Sequence, residues 1–595
     1  MSPVVSTVAI PLSPLQFAIL GVYLALLLGI AAAFRKFNRD GDDYFRSGCQ
    51  GSWWLVGMST YMASFSAFTF TGLAGAAYRA GFSATSNFIA NILGFALNGL
   101  FLAAWLRQLR VTTAPEVIRD RFGPRTEQLY GWTGNLLGML YAALTLYTLC
   151  IFAATVFGLP IVGTIVVVGL VVTAYSMIGG RWAVMGADFI QGMVLIPITV
   201  LLAILCLRAV GGPLGFFEAI GERNLWDDFR FFKEPRADLN YNFTAPWVMA
   251  STVALLMDRL SLTAAPRYFS CRDGREASRA GWFVAALMLG STLVFFAPPM
   301  AARMLFPDAV ASMPVAQPAE TAYAVASLQF LPEPLMGLMV VAIFSATLST
   351  MDAGLNMFAA VFVRNIYPAL GRRLGWTLAT GSRLVRLGEL TTLFSGLIII
   401  GIACGFAQAR GHGAFEIMLD LGALLSIPMA VPMVLGLVAR SAPRRAAAWS
   451  ILAGLAVSCT GYLATRLSGL GDLIGRWTYD EKVFATIAAG VAAFFLASWR
   501  AAEPAEARAR TEEFYRRMHT PVDFTREVGV RSSERGQSLI LGRFCLVAAA
   551  AVLLLAFVAG PWQLAGSAGV VVIAGFQAAV GVILLIRARR RSPLP

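Results

Sequence analysis

Charge is scarce in this chain. Asp, Glu, Lys and Arg make up 13% of its 595 residues, against about 25% in an average soluble domain. Histidine occurs twice, at His412 and His519, and lysine three times, at Lys36, Lys233 and Lys482. So few imidazoles exclude a membrane haem protein with several axial histidines. No lysine follows a glycine, so there is no Walker A loop, and the chain does not by itself drive transport with ATP through one. The seven cysteines, Cys49, Cys150, Cys206, Cys271, Cys404, Cys459 and Cys545, lie far apart with no CxxC pair. Zinc and iron–sulfur ligation therefore have no support, and the five from Cys150, Cys206, Cys404, Cys459 and Cys545 read as small core residues. No nucleophile–base pair stands out, so no enzyme and no cofactor is expected.

Apolar side chains fill the space that charge leaves. They make up 58% of the chain, against roughly 45–50% in soluble proteins. Apolar runs of about twenty residues recur, the length a helix needs to cross a bilayer. A soluble enzyme, a disordered chain and a secreted disulfide scaffold are excluded. The expectation is an all-α polytopic membrane protein. Fifteen spans are predicted, over 15–34, 53–79, 84–106, 128–156, 159–178, 188–210, 245–266, 280–305, 334–363, 390–408, 415–439, 446–464, 482–499, 543–560 and 565–586. The first has no basic stretch before it and no cleavage site after Phe34, so it reads as a retained span.

Arginine gives the orientation. With the N-terminus outside, the inner segments hold 35 of the 47 Lys and Arg residues. The N-terminus is predicted outside and the C-terminus in the cytoplasm of a cell-membrane protein. The net charge of +14 then reflects topology and anionic lipid, and no nucleic-acid partner is expected. Two connections exceed what turns need. Segment 211–244, with Trp226, Asp227, Asp228, Phe231, Phe232 and Tyr241, is either a cover for the outer vestibule or an ordinary amphipathic loop. Segment 500–540, rich in Arg and Glu, suits a short amphipathic helix at the membrane surface. The two helices after it read as an appendage.

A carboxylate inside a bilayer costs about 2.5–3.5 kcal/mol on insertion scales, so such residues face a partner, water or an ion. Asp258 has Arg259 beside it and reads as one half of an ion pair. Glu416 and Asp420 suit a solvated helix start. Asp188 and Asp352 have other oxygens nearby. Around Asp352, Ala346, Ser349 and Thr350 share one helical face, and Ser345, Ser349 and Asp352 form the adjoining stripe. Neutral oxygens of this kind suit a hard cation of low charge. They equally suit bonds back to carbonyls one turn earlier, or helix contacts. The 53–79 span crowds Ser64, Ser66, Thr69, Thr71, Gly72 and Gly75 together. It reads as a broken helix exposing backbone, or as close packing through small residues.

Several segments together resemble the sodium/solute symporter family, the group of the bacterial sodium/galactose, sodium/proline and sodium/sialic acid symporters. Ser66-Ala67-x-x-Phe70-x-Gly72-x-x-Gly75-x-x-Tyr78 is similar to the family's first core helix. The run from Gly179-Gly180 to Asp188 and Gln191 resembles its GG-x-x-AV-x-x-TD-x-x-Q stretch, with Ala187 for Thr. Arg267-Tyr268-Phe269-Ser270-Cys271-Arg272-Asp273 resembles the QRYL-x-A-K-D loop. Ser349-Thr350-Met351-Asp352-Ala353-Gly354-Leu355-Asn356 resembles MST-x-x-S-x-L-N, and Asn365-Ile366-Tyr367 the D-I-Y that follows.

The resemblance implies a LeuT-type core of two inverted five-helix repeats, with one extra N-terminal helix and about four extra C-terminal ones. The expected division is 1–52 for the first helix and its flanks, 53–440 for the core (repeats about 53–210 and 245–440), 441–499 for two accessory helices, 500–542 for the charged segment and 543–595 for the last pair. By the family's pattern, sodium is held by the Met62, Phe65 and Ala346 carbonyls and the Ser349 and Thr350 hydroxyls. A second cation or a proton would use Asp188, Ser345 and Asp352. Polar candidates for the solute pocket are Ser64, Ser66, Thr69, Asn87, Asn91, Tyr141 and Ser261. With no unpaired cation evident among them, a small neutral or zwitterionic organic solute is favoured. The implied activity is sodium-coupled import by alternating access, with sodium as the coupling ion and a monomer as the working unit. The rival readings are a transporter-like sensor signalling through 500–540 and a sodium-independent uniporter.

Overall fold

The computed structural model describes residues 14–35, 47–176, 181–235, 243–262, 265–313, 315, 317–379, 382–408, 413–467, 472–473, 475–499, 503–527, 534–558 and 564–590. Gly179, Gly180, Tyr241 and His412 lie outside them. Helices make up the architecture; among the described residues there is no strand, only an isolated bridge between Gly51 and Cys271. Among the described residues ten helices are long and apolar enough to cross a membrane. Gly21–Phe34 and Ile161–Ala174 are apolar but shorter. Tyr479–Trp499 opens on Asp480, Glu481 and Lys482. The two expected spans left over, 53–79 and 245–266, are the ones that break.

The first break is held by bonds within its own turns and from a facing helix. Trp53–Met62 ends in tight turns, with Ser64 N–H on the Tyr61 carbonyl and Phe65 N–H on the Met62 carbonyl. Ser66 is extended, and its hydroxyl accepts the Phe68 N–H to start Ala67–Phe70. The Phe65 carbonyl and the Ala67 N–H, which an unbroken helix would pair internally, go instead to Thr350 and Thr347, both at 3.0 Å. A second irregularity at Thr71 (φ −122°, ψ −84°) precedes Gly72–Ala80. Gly72 and Gly75 are thus not where the helix opens. They admit close neighbours: a Cβ at Gly75 would stand 3.0 Å from Glu320 backbone, and one at Gly72 2.6 Å from the Phe68 ring. Both readings of the segment hold, at different residues.

The second break follows Ala245–Leu260. Ser261 is extended and caps it, its hydroxyl donating to the Asp258 carbonyl at 2.6 Å. A short helix, Ala265–Tyr268, follows, and Thr263 lies outside the described residues. Around the breaks, Glu333–Val361 packs on Arg181–Ala209 and Pro124–Phe157, and Ala245–Leu260 on Ser86–Leu97.

Inner and outer below denote the arginine-rich face and its opposite. Two expectations there need correcting. Ala505–His519 is amphipathic as predicted, but its apolar face (Ala507, Thr511, Phe514, Tyr515, Met518) is buried on the chain's own helices Ala103–Gln108 and Ala114–Phe122, not on a membrane surface. Tyr515 donates to the Gly436 carbonyl at 2.7 Å and Arg517 pairs with Asp120 at 2.9 Å. The last pair, Glu534–Val558 and Leu564–Arg590, is no loose appendage. Gln537 takes the Ser52 hydroxyl at 2.9 Å, at the start of the first broken helix, and donates to the Gln50 carbonyl. On the outer face, Gly212–Glu222 and Trp226–Phe229 lie over the end of that helix. Gly81 there has φ +53°, and a Cβ on it would meet Phe229 at 2.6 Å.

Candidate functional site

Thr350 sits mid-way along Glu333–Val361, a helix whose apolar sequence leaves its hydroxyls little to bond except carbonyls. Its Oγ1 is 3.0 Å from the Ala346 carbonyl of its own helix and 3.0 Å from the Phe65 carbonyl at the first break. One hydroxyl hydrogen is shared between two carbonyls and fully satisfies neither. Three neutral oxygens therefore converge with a single proton among them, the hard donor set that a small monovalent cation suits. Of the five residues expected to hold sodium, Phe65, Ala346 and Thr350 are brought together in this way. The Met62 carbonyl receives the Phe65 N–H at 3.1 Å, at the same turn. Ser349, one residue before Thr350, turns to the buried carboxylate of Asp188.

Asp188 accepts from both of its neighbouring serines, Ser349 and Ser59, and Arg267 donates to Ser59 at 3.4 Å. Ser59 was not singled out in the sequence, and Arg267 stood there only as part of a family-like loop, with no site role. Their signal was weak: a serine one turn before a break and an arginine in a loop. Of the other residues expected at a second cation site, Ser345 turns its hydroxyl back to the Val341 carbonyl, and Asp352 receives the Asn356 amide at 2.8 Å. Tyr23 of the first helix accepts from Gln191 at 2.9 Å and also bonds Ser345.

Beside the Thr350 cluster lies a cavity of about 300 Å³. Ser64, Ser66, Thr69, Asn87, Asn91 and Tyr141 all line it, as does Thr350. Ser261, the seventh candidate, does not. It lines a second cavity, of about 180 Å³, on the inner side with Thr113, Asn135 and Asn356. Tyr141, Asp258 and Ser426 line both, so they form the partition between them. Ser426 donates to Asp258 at 3.2 Å and bonds Tyr141. It also closes a single π-helical turn, Gly422–Ser426, a local irregularity of the kind frequent at functional sites. Toward the outer side the cavity ends in four aromatic rings. Phe243 lies 4.4 Å from Trp247, which lies 5.3 Å from Tyr479, and Phe415 stacks 6.1 Å from Phe243.

Two charged residues face this cavity, Arg259 and Asp258, neither of which was among the pocket candidates; they form the ion pair expected of them. Arg259 Nε donates to Asn91 at 2.7 Å, and Nη1 stands 3.3 Å from Asp258. The clue in the sequence was a set of asparagines, 87, 91 and 98, at near-helical spacing opposite an intramembrane arginine.

Known proteins resemble this chain over most of its length. The model of the sodium:solute symporter family matches residues 44–454. The Sodium/sialic acid symporter SiaT of Proteus mirabilis is 24% identical over 461 residues, covering 76% of this chain and 89% of its own. The Sodium/myo-inositol cotransporter 2 of Homo sapiens is 25% identical over 490 residues, covering 75% and 69%. Among solved structures, the substrate-bound outward-open state of a Na+-coupled sialic acid symporter superposes with a TM-score of 0.69 at 21% identity, covering 82% of this chain and 98% of that one. The fold is the LeuT type, with its broken helices.

Proposed function

This chain belongs to the sodium:solute symporter family, and we propose that it imports a small organic solute of zero net charge, coupled to sodium by alternating access. It is an integral membrane transporter, not an enzyme. The observation that carries the reading is Thr350, bonded across to the Phe65 carbonyl at 3.0 Å while lining the solute cavity. Sodium at this cluster draws the first break and Glu333–Val361 together. Solute then binds next to the ion, and the partition at Tyr141, Asp258 and Ser426 opens once the outer end has closed. Sodium acts only through its different affinity for the two states. One ion crossing about 100 mV supplies about 2.3 kcal/mol. A tenfold gradient adds about 1.4 kcal/mol, together enough for roughly 500-fold accumulation of an uncharged solute.

The same proposal includes an outer N-terminus, a 53–440 core, a working monomer, and a second cation or proton held by Asp188 and Asp352. It is tested in proteoliposomes: an inward sodium gradient drives uptake, a potassium gradient does not, and Ser349→Ala with Thr350→Ala abolishes the dependence. Uptake indifferent to sodium makes the protein a uniporter. The docked helix Ala505–His519 favours a second reading, a sensor signalling through this segment. Deleting 503–527 separates the two, because a symporter keeps sodium-driven uptake.

A further inference from the structure

Arg259 is held by a surface built for it. It occupies the last turn of Ala245–Leu260, beside the second break. One face of the facing helix serves it. Asn91 takes Nε at 2.7 Å, and the Phe95 ring lies 5.8 Å from the guanidinium carbon. Asn98 donates to the Arg259 carbonyl at 3.1 Å. Gly94 clears the way, since a Cβ there would stand 2.6 Å from the Arg259 Cβ. The guanidinium is thereby oriented before any solute arrives.

Its pairing is incomplete. Nη1 reaches Asp258 at 3.3 Å, longer than the roughly 2.7–2.9 Å of a firm charge-assisted bond. Nη2 donates to no described residue. The Arg259 side chain keeps 19% of its surface accessible, and it lines the central cavity. Asp258 lines the same wall, with Ser426 on its other oxygen at 3.2 Å. These two are the charged residues in the described lining, one of each sign. A net-charged solute would leave one charge in excess in a water-poor site, and a sugar's hydroxyls would bond the two groups without balancing either charge. A solute carrying both signs matches both.

We infer that the solute is a small zwitterion whose carboxylate bonds the Nη2 edge of Arg259 while its ammonium group faces Asp258. This rests on the symporter reading above. The apolar remainder of the solute lies against Phe65 and Phe88, which share the cavity. Arginine offers a planar pair of donors to a carboxylate, which lysine does not.

The test uses the purified full chain and thermal stability in sodium chloride or potassium chloride. The probes are the twenty standard amino acids, the decarboxylated amine and the deaminated acid of each one that binds, and glucose and myo-inositol. At least one neutral amino acid raises the melting temperature in sodium and not in potassium. Its amine and its acid bind at least tenfold more weakly, a comparison made on the wild type and so independent of any variant's folding. Arg259→Gln weakens the amino acid a hundredfold or more, and Arg259→Lys restores only part. Stabilisation by glucose or myo-inositol alone overturns the inference, as does an absence of any amino-acid effect or an Arg259→Gln protein that binds like wild type. Sodium without solute gives the separate reading. If sodium alone stabilises and no zwitterion adds to it, only this inference falls. If sodium has no effect, the symporter reading falls with it.

Discussion

Ser349 and Thr350 are neighbours that face different partners, and their substitutions have different costs. The Ser349 hydroxyl serves the buried carboxylate of Asp188. Its loss leaves a charge short of a donor, so Ser349→Ala destabilises by about 1.5–3 kcal/mol. Thr350 serves two carbonyls, and Thr350→Ala costs about 1 kcal/mol. In melting experiments without sodium, Ser349→Ala therefore falls further than Thr350→Ala; the reverse order contradicts the assignment of partners. At this scale the sequence was informative where side chains act. Hydroxyls inside an apolar run have few uses, and Ser349 and Thr350 stood out. Phe65 and Ala346 contribute backbone, which residue type does not encode, so they came from family resemblance. Arg259 was missed because an arginine next to an aspartate looks self-sufficient until the facing helix is in place.

Among elements, the outer loop that carries Glu320 ties two helix starts together. Glu320 is buried in the turn Pro318–Thr321, outside the candidate spans. Its carboxylate accepts the Phe415 N–H at 3.3 Å and stands beside Gly413, while its backbone and Cγ lie against the notch at Gly75. Burial pushes its pKa up to about 7, although the backbone N–H groups of Phe415 and Ala414 and the charge of Arg79 pull it down; Glu416 pushes it further up. A carboxyl with a raised pKa favours the packed state when protonated. This stabilisation is complete below its ordinary value, and it is lost as pH climbs through about 7. The melting temperature should fall between about pH 5 and pH 8, and Glu320→Gln should remove that part of the fall. An unchanged profile in Glu320→Gln would show that another group titrates. Gly75→Ala tests the same notch: with Glu320 backbone 3.0 Å from the new Cβ, sodium-driven uptake should drop several-fold as the outer end loses its fit. Full uptake in Gly75→Ala would contradict the tight approach. The sequence placed the broken element correctly but pointed to its glycines. The opening itself is made by Ser66 as a cap and by Thr347 and Thr350 from another helix. Such cross-helix satisfaction of backbone is invisible along one strand of text.

For the molecule as a whole, hydropathy set the class and most spans, because the bilayer demands about twenty apolar residues per crossing. It was less able to place the polar ends. An amphipathic pattern looks the same whether lipid or protein covers it, and Ala505–His519 is covered by protein. Gln537, Ser52 and Gln50 likewise link chain ends almost five hundred residues apart. We propose that one sodium, bound where Thr350 meets the Phe65 and Ala346 carbonyls, couples the first broken helix to the helix it faces. Equilibrium binding of radiolabelled sodium to the purified full chain tests this most directly. The account predicts saturable binding that potassium does not displace, weakened about tenfold or more, or about 1.4 kcal/mol, by Thr350→Ala. Wild-type affinity in Thr350→Ala would contradict it.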